Sequence, residues 1–210
     1  VSTDPGDLIE DAIPLHGHEV LLLRPRDSEA LLDERAFAEE DEFLPYWAEL
    51  WPSALALARA LDGRALHGAR VVELGCGLGL PSIVAALGGA RVTATDWSAD
   101  AVGFAAGNAA HNDVRIDTAV VAWDRPQSLL REGRWPLVIG SDLLYEARNV
   151  PLLLDLLPQL VELHGQIWIS DPGREPCAAF LEQARERFTV ASRPDPVAGP
   201  RVAVHRLTPR

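Results

Sequence analysis

The stretch VVELGCGLGLPSIVAALGGARVTATDW, Val71 to Trp97, limits the possible folds more than any other part of the chain. A β-branched apolar run ends at Leu74, glycines follow at Gly75, Gly77 and Gly79, and a helical pattern runs from Leu80 to Leu87. A second apolar run, Arg91 to Thr95, then ends on Asp96. Two short strands separated by a helix-length segment read as a parallel β-α-β unit. Glycines at the strand-to-helix turn let the backbone reverse sharply and approach a ligand with no Cβ in the way. In an open parallel sheet that turn lies beyond the carboxyl ends of the strands, where ligands bind.

The alternation continues to both sides. Strand candidates are Arg70 to Leu74, Arg91 to Thr95, Ile116 to Ala122, Pro136 to Ser141 and Gln166 to Ser170. Between them, Leu80 to Leu87, Ser98 to His111, Val150 to Leu163 and Glu175 to Arg187 read as helices, and a further helix is expected from Pro52 to Gly63. This order predicts a parallel sheet with helices on both faces. The tail, RFTVASRPDPVAGPRVAVHRL, has two strand-like runs around a Pro/Gly turn, so the last strand is expected to enter the sheet antiparallel. Ala12 to Pro25 reads as an N-terminal hairpin and DSEALLDERAFAEEDEF as a solvated acidic helix. With 210 residues and 48% hydrophobic composition, one core is expected. Residues 1–45 read as an extension packed on a ligand-binding domain formed by residues 46–210.

Composition narrows the partners. A net charge of -12 works against a polyanion, because phosphate backbones bind through clustered basic residues, so no nucleic-acid partner is expected. All 19 basic residues are Arg. Cys76 and Cys177 make no CxxC or Cys/His spacing, so no metal site and a reducing cytoplasm are expected. The first residues carry no signal-peptide pattern, and no apolar run approaches the ~20 residues of a bilayer span, so no membrane partner is expected.

The glycine register separates two ligand classes. A dinucleotide site wants G-x-G-x-x-G, but Leu80 stands where that third glycine belongs and Gly79 comes one residue early. Glu73, at the end of the strand, is a poor neighbour for pyrophosphate and suits a cationic ligand. Asp96 can accept from both hydroxyls of a ribose. S-adenosylmethionine has that distribution: an ammonium, a sulfonium, a ribose diol and one small carboxylate.

E-x-G-x-G-x-G with its distant acid resembles the cofactor motif of class I methyltransferases. PYWAELWPSALALARAL, VVAWDRP and SDLLYE extend the likeness from about Pro45 to Phe188. Together they resemble the protein-lysine methyltransferases among the seven-strand enzymes. The chain looks most similar to bacterial proteins related to the electron-transfer flavoprotein β-subunit lysine methyltransferase, some of them labelled nicotinamide N-methyltransferase-like. SDPGREP, Ser170 to Pro176, supports that branch. The resemblance implies an α/β, Rossmann-like sheet of seven mostly parallel strands with an antiparallel C-terminal strand, and a monomer or weak dimer.

The resemblance also distributes roles. It puts Trp51, Glu73, Gly75, Cys76, Gly77, Gly79, Asp96, Trp97, Trp123 and Ser141 against S-adenosylmethionine. Trp47 or Trp51 would lie beside its methionine end, and Trp123 along the adenine with Asp124 near its edge. A Trp here can offer a π face to the sulfonium, though either one can equally serve to pack the helix on the sheet. Asp142 to Tyr145 match the family's D-x-x-Y, which makes Asp142 and Tyr145 the catalytic candidates. The competing reading of Asp142 is an N-cap for the following helix. Trp47, Asp171 and Arg174 are candidates for the substrate mouth, with Arg174 alternatively in a surface ion pair. Cys76 reads as a small residue near the cofactor, since no His is spaced to activate it.

N-P-P-Y is absent, which disfavours the exocyclic amines of bases and glutamine side chains as acceptors. The expected activity is methyl transfer to a lysine side chain of a protein. A small-molecule N-methyltransferase with an enclosed pocket and a catalytically silent cofactor-binding module are the alternatives.

Overall fold

The computed structural model describes residues 7–27 and 45–210. The acidic segment expected to be a helix lies, apart from Asp27, outside the described residues.

Seven strands form the main sheet: β3 (Arg70–Leu74), β4 (Arg91–Asp96), β5 (Asp117–Val120), β6 (Trp135–Ser141), β7 (Val161–Asp171), β8 (Phe188–Pro194) and β9 (Ala203–Pro209). Their order is β5-β4-β3-β6-β7-β9-β8. Pairings from β5 through β7 are parallel, and β9 runs antiparallel to both β7 and β8, as the tail predicts. Among the described residues, six helices surround the sheet: α1 (Pro52–Leu61), α2 (Leu80–Leu87), α3 (Ala99–His111), α4 (Gln127–Leu130), α5 (Asn149–Leu160) and α6 (Glu175–Ala184).

Strand periodicity sorts the core into two layers. Val72, Val138, Ile167 and Ile169 face α5 and α6, packing on Leu153, Leu157 and Phe180. Their neighbours Val71, Leu137, Ile139 and Trp168 face the opposite layer with Leu57, Leu61 and Ile83 of α1 and α2. The near-continuous apolar run of each central strand is thus explained by burial on both faces.

Helix ends differ from the sequence reading. The helix expected to reach Leu163 stops at Leu160, because Val161 pairs with Trp135 in the sheet and starts an eleven-residue β7. The helix expected to reach Arg187 stops at Ala184.

The N-terminal hairpin, β1 (Leu8–Pro14) and β2 (Glu19–Pro25), forms its own two-stranded sheet. Two asparagines, Asn108 on α3 and Asn112 at its C-cap, cover the free edge of β2. Asn112 accepts from Leu21 N (2.8 Å) and donates to Leu21 O (2.6 Å), while Asn108 accepts from Leu23 N (2.8 Å) and donates to Leu23 O (3.0 Å). Four residues apart, they share one face of α3 and meet alternate residues of the strand. Asn108 also donates to Leu78 O in the glycine loop at 3.0 Å, which ties the hairpin to that loop.

Candidate active site

The glycine loop joins β3 to α2 at the carboxyl edge of the sheet. Gly75, Gly77 and Gly79 all have left-handed backbone (φ +62°, +50° and +86°), a conformation costly for residues with a Cβ. Each also removes a different contact. A Cβ at Gly75 would lie 2.9 Å from Leu143 Cδ2 and 3.6 Å from Trp123, and one at Gly77 would lie 3.3 Å from Trp47 O. At Gly79 it would meet the Ala105 Cα at 2.9 Å. Gly79 therefore serves the close packing of α2 on α3, while Gly75 and Gly77 keep the loop itself thin.

Two acids frame this loop. Asp96, at the end of β4 and nearly buried, accepts from Gly77 N (3.1 Å) and Ser98 N (3.0 Å). Burial pushes its pKa up, against the pull of these N–H donors. Each carboxylate oxygen keeps one lone pair free of those bonds, so a ribose diol finds acceptors there. Glu73 is fully buried and does not line the crevice directly. One of its oxygens accepts from the backbone N–H and hydroxyl of Ser82, while Oε1 is buried with no hydrogen-bond partner among the described residues. A buried carboxyl group with an orphan oxygen next to the glycine turn leaves an acceptor for the ammonium end of a ligand. The residues present thus suit S-adenosylmethionine.

Burial pushes Glu73 up to about 8, outweighing the Ser82 bonds. A carboxyl raised in the folded state holds a proton that the unfolded chain releases, so this stabilisation is complete below the ordinary carboxylate range and is lost as pH rises toward 8. Urea unfolding at pH 5.5 and 8.5 is expected to show wild type losing stability relative to Glu73→Gln, which keeps the Ser82 contact and cannot ionise. Parallel pH profiles would overturn this account of Glu73.

The aromatic residues divide between the loop and the mouth. Trp47 belongs to the 3-10 turn Tyr46–Ala48; its backbone lies over Gly77 and its ring packs on Phe104 at 5.0 Å. That places Trp47 against the glycine loop. Trp97 is 47% exposed just after Asp96, and half-buried Trp123 stands beside Gly75. Cys76 is buried, with its thiol pushed well above the ordinary value by burial and then by Asp96 and Glu73, so it stays protonated.

Asp142 is the centre of the second half-site. It follows Ser141, the last residue of β6, and has left-handed backbone (φ +57°), which Asp tolerates better than most residues. Its N–H donates to Ser170 O at 2.9 Å. Oδ2 accepts from Ser53 Oγ at 3.0 Å, and Oδ1 accepts from Arg174 Nε at 2.8 Å and Nη2 at 2.6 Å. Asp142 caps no helix: Arg148 holds the N-cap of α5, without a side-chain bond. Arg174 also lies over the Trp51 ring, 5.8 Å from its centroid, and Trp51 Nε1 donates to Tyr46 O at 2.8 Å.

Tyr145 stands beside this cluster, 37% exposed, with its ring 5.7 Å from that of Tyr46. Burial, then the Glu146 charge, pushes its phenol up, so Tyr145 remains a neutral hydrogen-bonding group. Asp171 is fully buried, and its Oδ1 accepts from Gly173 N (2.7 Å) and Arg174 N (2.8 Å). It shapes the turn that carries Arg174 and does not face the mouth. Sequence reasoning missed Ser53 and Tyr46. The signal for Tyr46 was in the composition: the chain has two tyrosines, and the fold brings their rings together.

The fold is that of S-adenosylmethionine-dependent methyltransferases. A T. thermophilus 16S rRNA methyltransferase, solved with AdoMet and guanosine, superposes with TM-score 0.70 at 15% identity, over 98% of this chain and 52% of that one. A ribosomal protein L11 methylase from Lactobacillus delbrueckii subsp. bulgaricus gives 0.61 at 21% identity, over 75% and 79%. A family model described as lysine methyltransferase matches residues 38–187, and the chain belongs to that family. The electron transfer flavoprotein beta subunit lysine methyltransferase of Xenopus laevis is 36% identical over 136 residues, 62% of this chain and 53% of that protein. The match thus spans about half the length of the frog protein. Protein N-lysine methyltransferase METTL21A of Danio rerio is 34% identical over 151 residues, 68% of this chain and 69% of that protein.

Proposed function

We propose that this chain is an S-adenosylmethionine-dependent N-methyltransferase whose acceptor is a lysine side chain of a protein substrate. The observation that carries this reading is Asp142, fixed between Ser53 and Arg174 at the sheet edge beside the glycine loop and bordered by Trp51 and Tyr145. The cofactor, when bound, supplies an activated methyl group on a sulfonium. The residues of this chain align and desolvate the acceptor, which is where the catalytic advantage of such a transfer lies. Gly75 and Gly77 would hold the amino-acid end on the loop, Asp96 the ribose, and Trp97 and Trp123 the base. A lysine amine has a reference pKa of about 10.4 and must arrive neutral; the aromatic wall of Trp51 and Tyr145 favours the neutral form by desolvation. Asp142 positions the neutral amine first and then takes the proton that the nitrogen sheds once it has gained the methyl group.

Three features support a protein acceptor over a small molecule. Tyr46 and Tyr145 are 44% and 37% exposed, so the mouth is open at the rings that would meet the acceptor. The family relatives named above are protein-lysine methyltransferases. The charge of -12 suits a basic protein segment. A cytoplasmic setting belongs to the same reading and is supported by two free, buried cysteines.

Methyl-labelled S-adenosylmethionine and a lysate of the source organism test it. Because the chain contains no lysine, it cannot label a lysine of its own, and a methyllysine band that is lost with Asp96→Ala is transfer by this chain to another protein. Methyllysine on a discrete band is the expected result. Label confined to small molecules would replace this reading with a small-molecule methyltransferase, and cofactor binding without any label would replace it with a silent module.

A further inference from the structure

Arg174 sits where a cationic substrate group would be expected. Its guanidinium makes two bonds to Asp142 Oδ1, at 2.8 and 2.6 Å, and lies 5.8 Å from the centroid of the Trp51 ring. A carboxylate on one side and an indole face on another are the two groups that recognise an alkyl cation. The Arg174 side chain is only 33% exposed, and its Asp142 partner 9%. The backbone that carries it is specialised too: Gly173 has φ +83°, and Asp171, fully buried, accepts from both Gly173 N and Arg174 N. The turn between β7 and α6 is therefore held so that Arg174 reaches back across the sheet edge to β6.

We infer that the Asp142–Trp51 position is an alkylammonium subsite occupied by the chain's own Arg174, which an incoming cation must displace. The inference rests on the lysine reading above and adds a specificity-determining residue to it. With Arg174 in place, the charge of Asp142 is already met, so a protonated amine gains little there, and a neutral amine, the form able to accept a methyl group, loses nothing by comparison. Arg174 acts as a filter against the unreactive ammonium.

The test uses n-butylammonium, a lysine side-chain analogue, titrated into the full chain while the Trp51 indole N–H resonance is followed by NMR. n-Butanol is the neutral control. Wild type is expected to bind n-butylammonium weakly. Arg174→Gln is expected to bind it at least tenfold more tightly with n-butanol unchanged, and Arg174→Leu, which also empties the position without a hydrogen-bonding end, is expected to do the same. Adding Asp142→Asn to Arg174→Gln is expected to abolish the gain. Equal or weaker n-butylammonium binding by both folded Arg174 variants would overturn the inference. This readout needs neither S-adenosylmethionine nor turnover, so its failure is distinct from a failure to find methyl transfer in the lysate.

Discussion

Asp142→Asn is expected to lower methyl transfer to the labelled protein band by about 100-fold or more, the usual scale for removing a positioned proton acceptor, while leaving cofactor affinity within about twofold of wild type. The asparagine is the informative substitution. It tolerates the left-handed backbone of this position (φ +57°) and can still accept from Ser53 Oγ, so the turn after β6 survives. What is lost is the charge that meets Arg174 and would draw the proton of the acceptor amine. Asp142→Ala adds backbone strain of roughly 1–2 kcal/mol and empties the Ser53 contact, so it is expected to lower both activity and melting temperature. Cofactor affinity is measured by calorimetry with S-adenosylhomocysteine, and transfer by band intensity against time. A variant that transfers at the wild-type rate would remove Asp142 from the reaction. Equal losses of affinity and rate would instead make it part of the cofactor site.

The parts of this protein that were legible in the sequence are those set by local pattern. β3 and α2 begin and end where the apolar runs predict, at Arg70–Leu74 and Leu80–Leu87, because burial on both faces and a glycine turn leave little choice. The start of β7 was not read, although Val161, Glu162, Leu163 and His164 alternate as a strand does; the apolar pattern of α5 runs straight into them. The site divides in the same way. The glycine loop and Asp96 lie within one β-α-β unit, so their spacing carries their roles. Ser53 and Asp142 are 89 residues apart, and Arg174 and Asp142 are 32 apart, so their bonds come from the placement of α1, β6 and β7 side by side. No spacing rule encodes such a pairing. Glu73 shows a different limit. Its position at the strand end is legible, but its burial, and with it an influence through Ser82 and through charge, depends on how α2 closes over it.

Asp96→Ala is expected to weaken S-adenosylhomocysteine binding by about 100-fold. Two hydrogen bonds from ribose hydroxyls to a carboxylate are worth roughly 1.5–3 kcal/mol each, and a loss of about 3 kcal/mol is near two decades in affinity. The loop adds its own contribution, because Asp96 is also the acceptor that holds Gly77 N at 3.1 Å and Ser98 N at 3.0 Å. Without it both N–H groups lose their partner, and stability is expected to fall by roughly 1–3 kcal/mol, read from urea unfolding of the ligand-free chain. A thermodynamic cycle separates the two contributions. The 2′-deoxy analogue of S-adenosylhomocysteine lacks one of the hydroxyls; it is expected to bind wild type at least tenfold more weakly than the parent compound, and Asp96→Ala almost as well as the parent does. Such coupling belongs to a direct bond between Asp96 and the sugar. If the deoxy analogue loses the same factor against both proteins, Asp96 acts on the ligand only by holding Gly77, and the ribose contact must be sought elsewhere along the crevice.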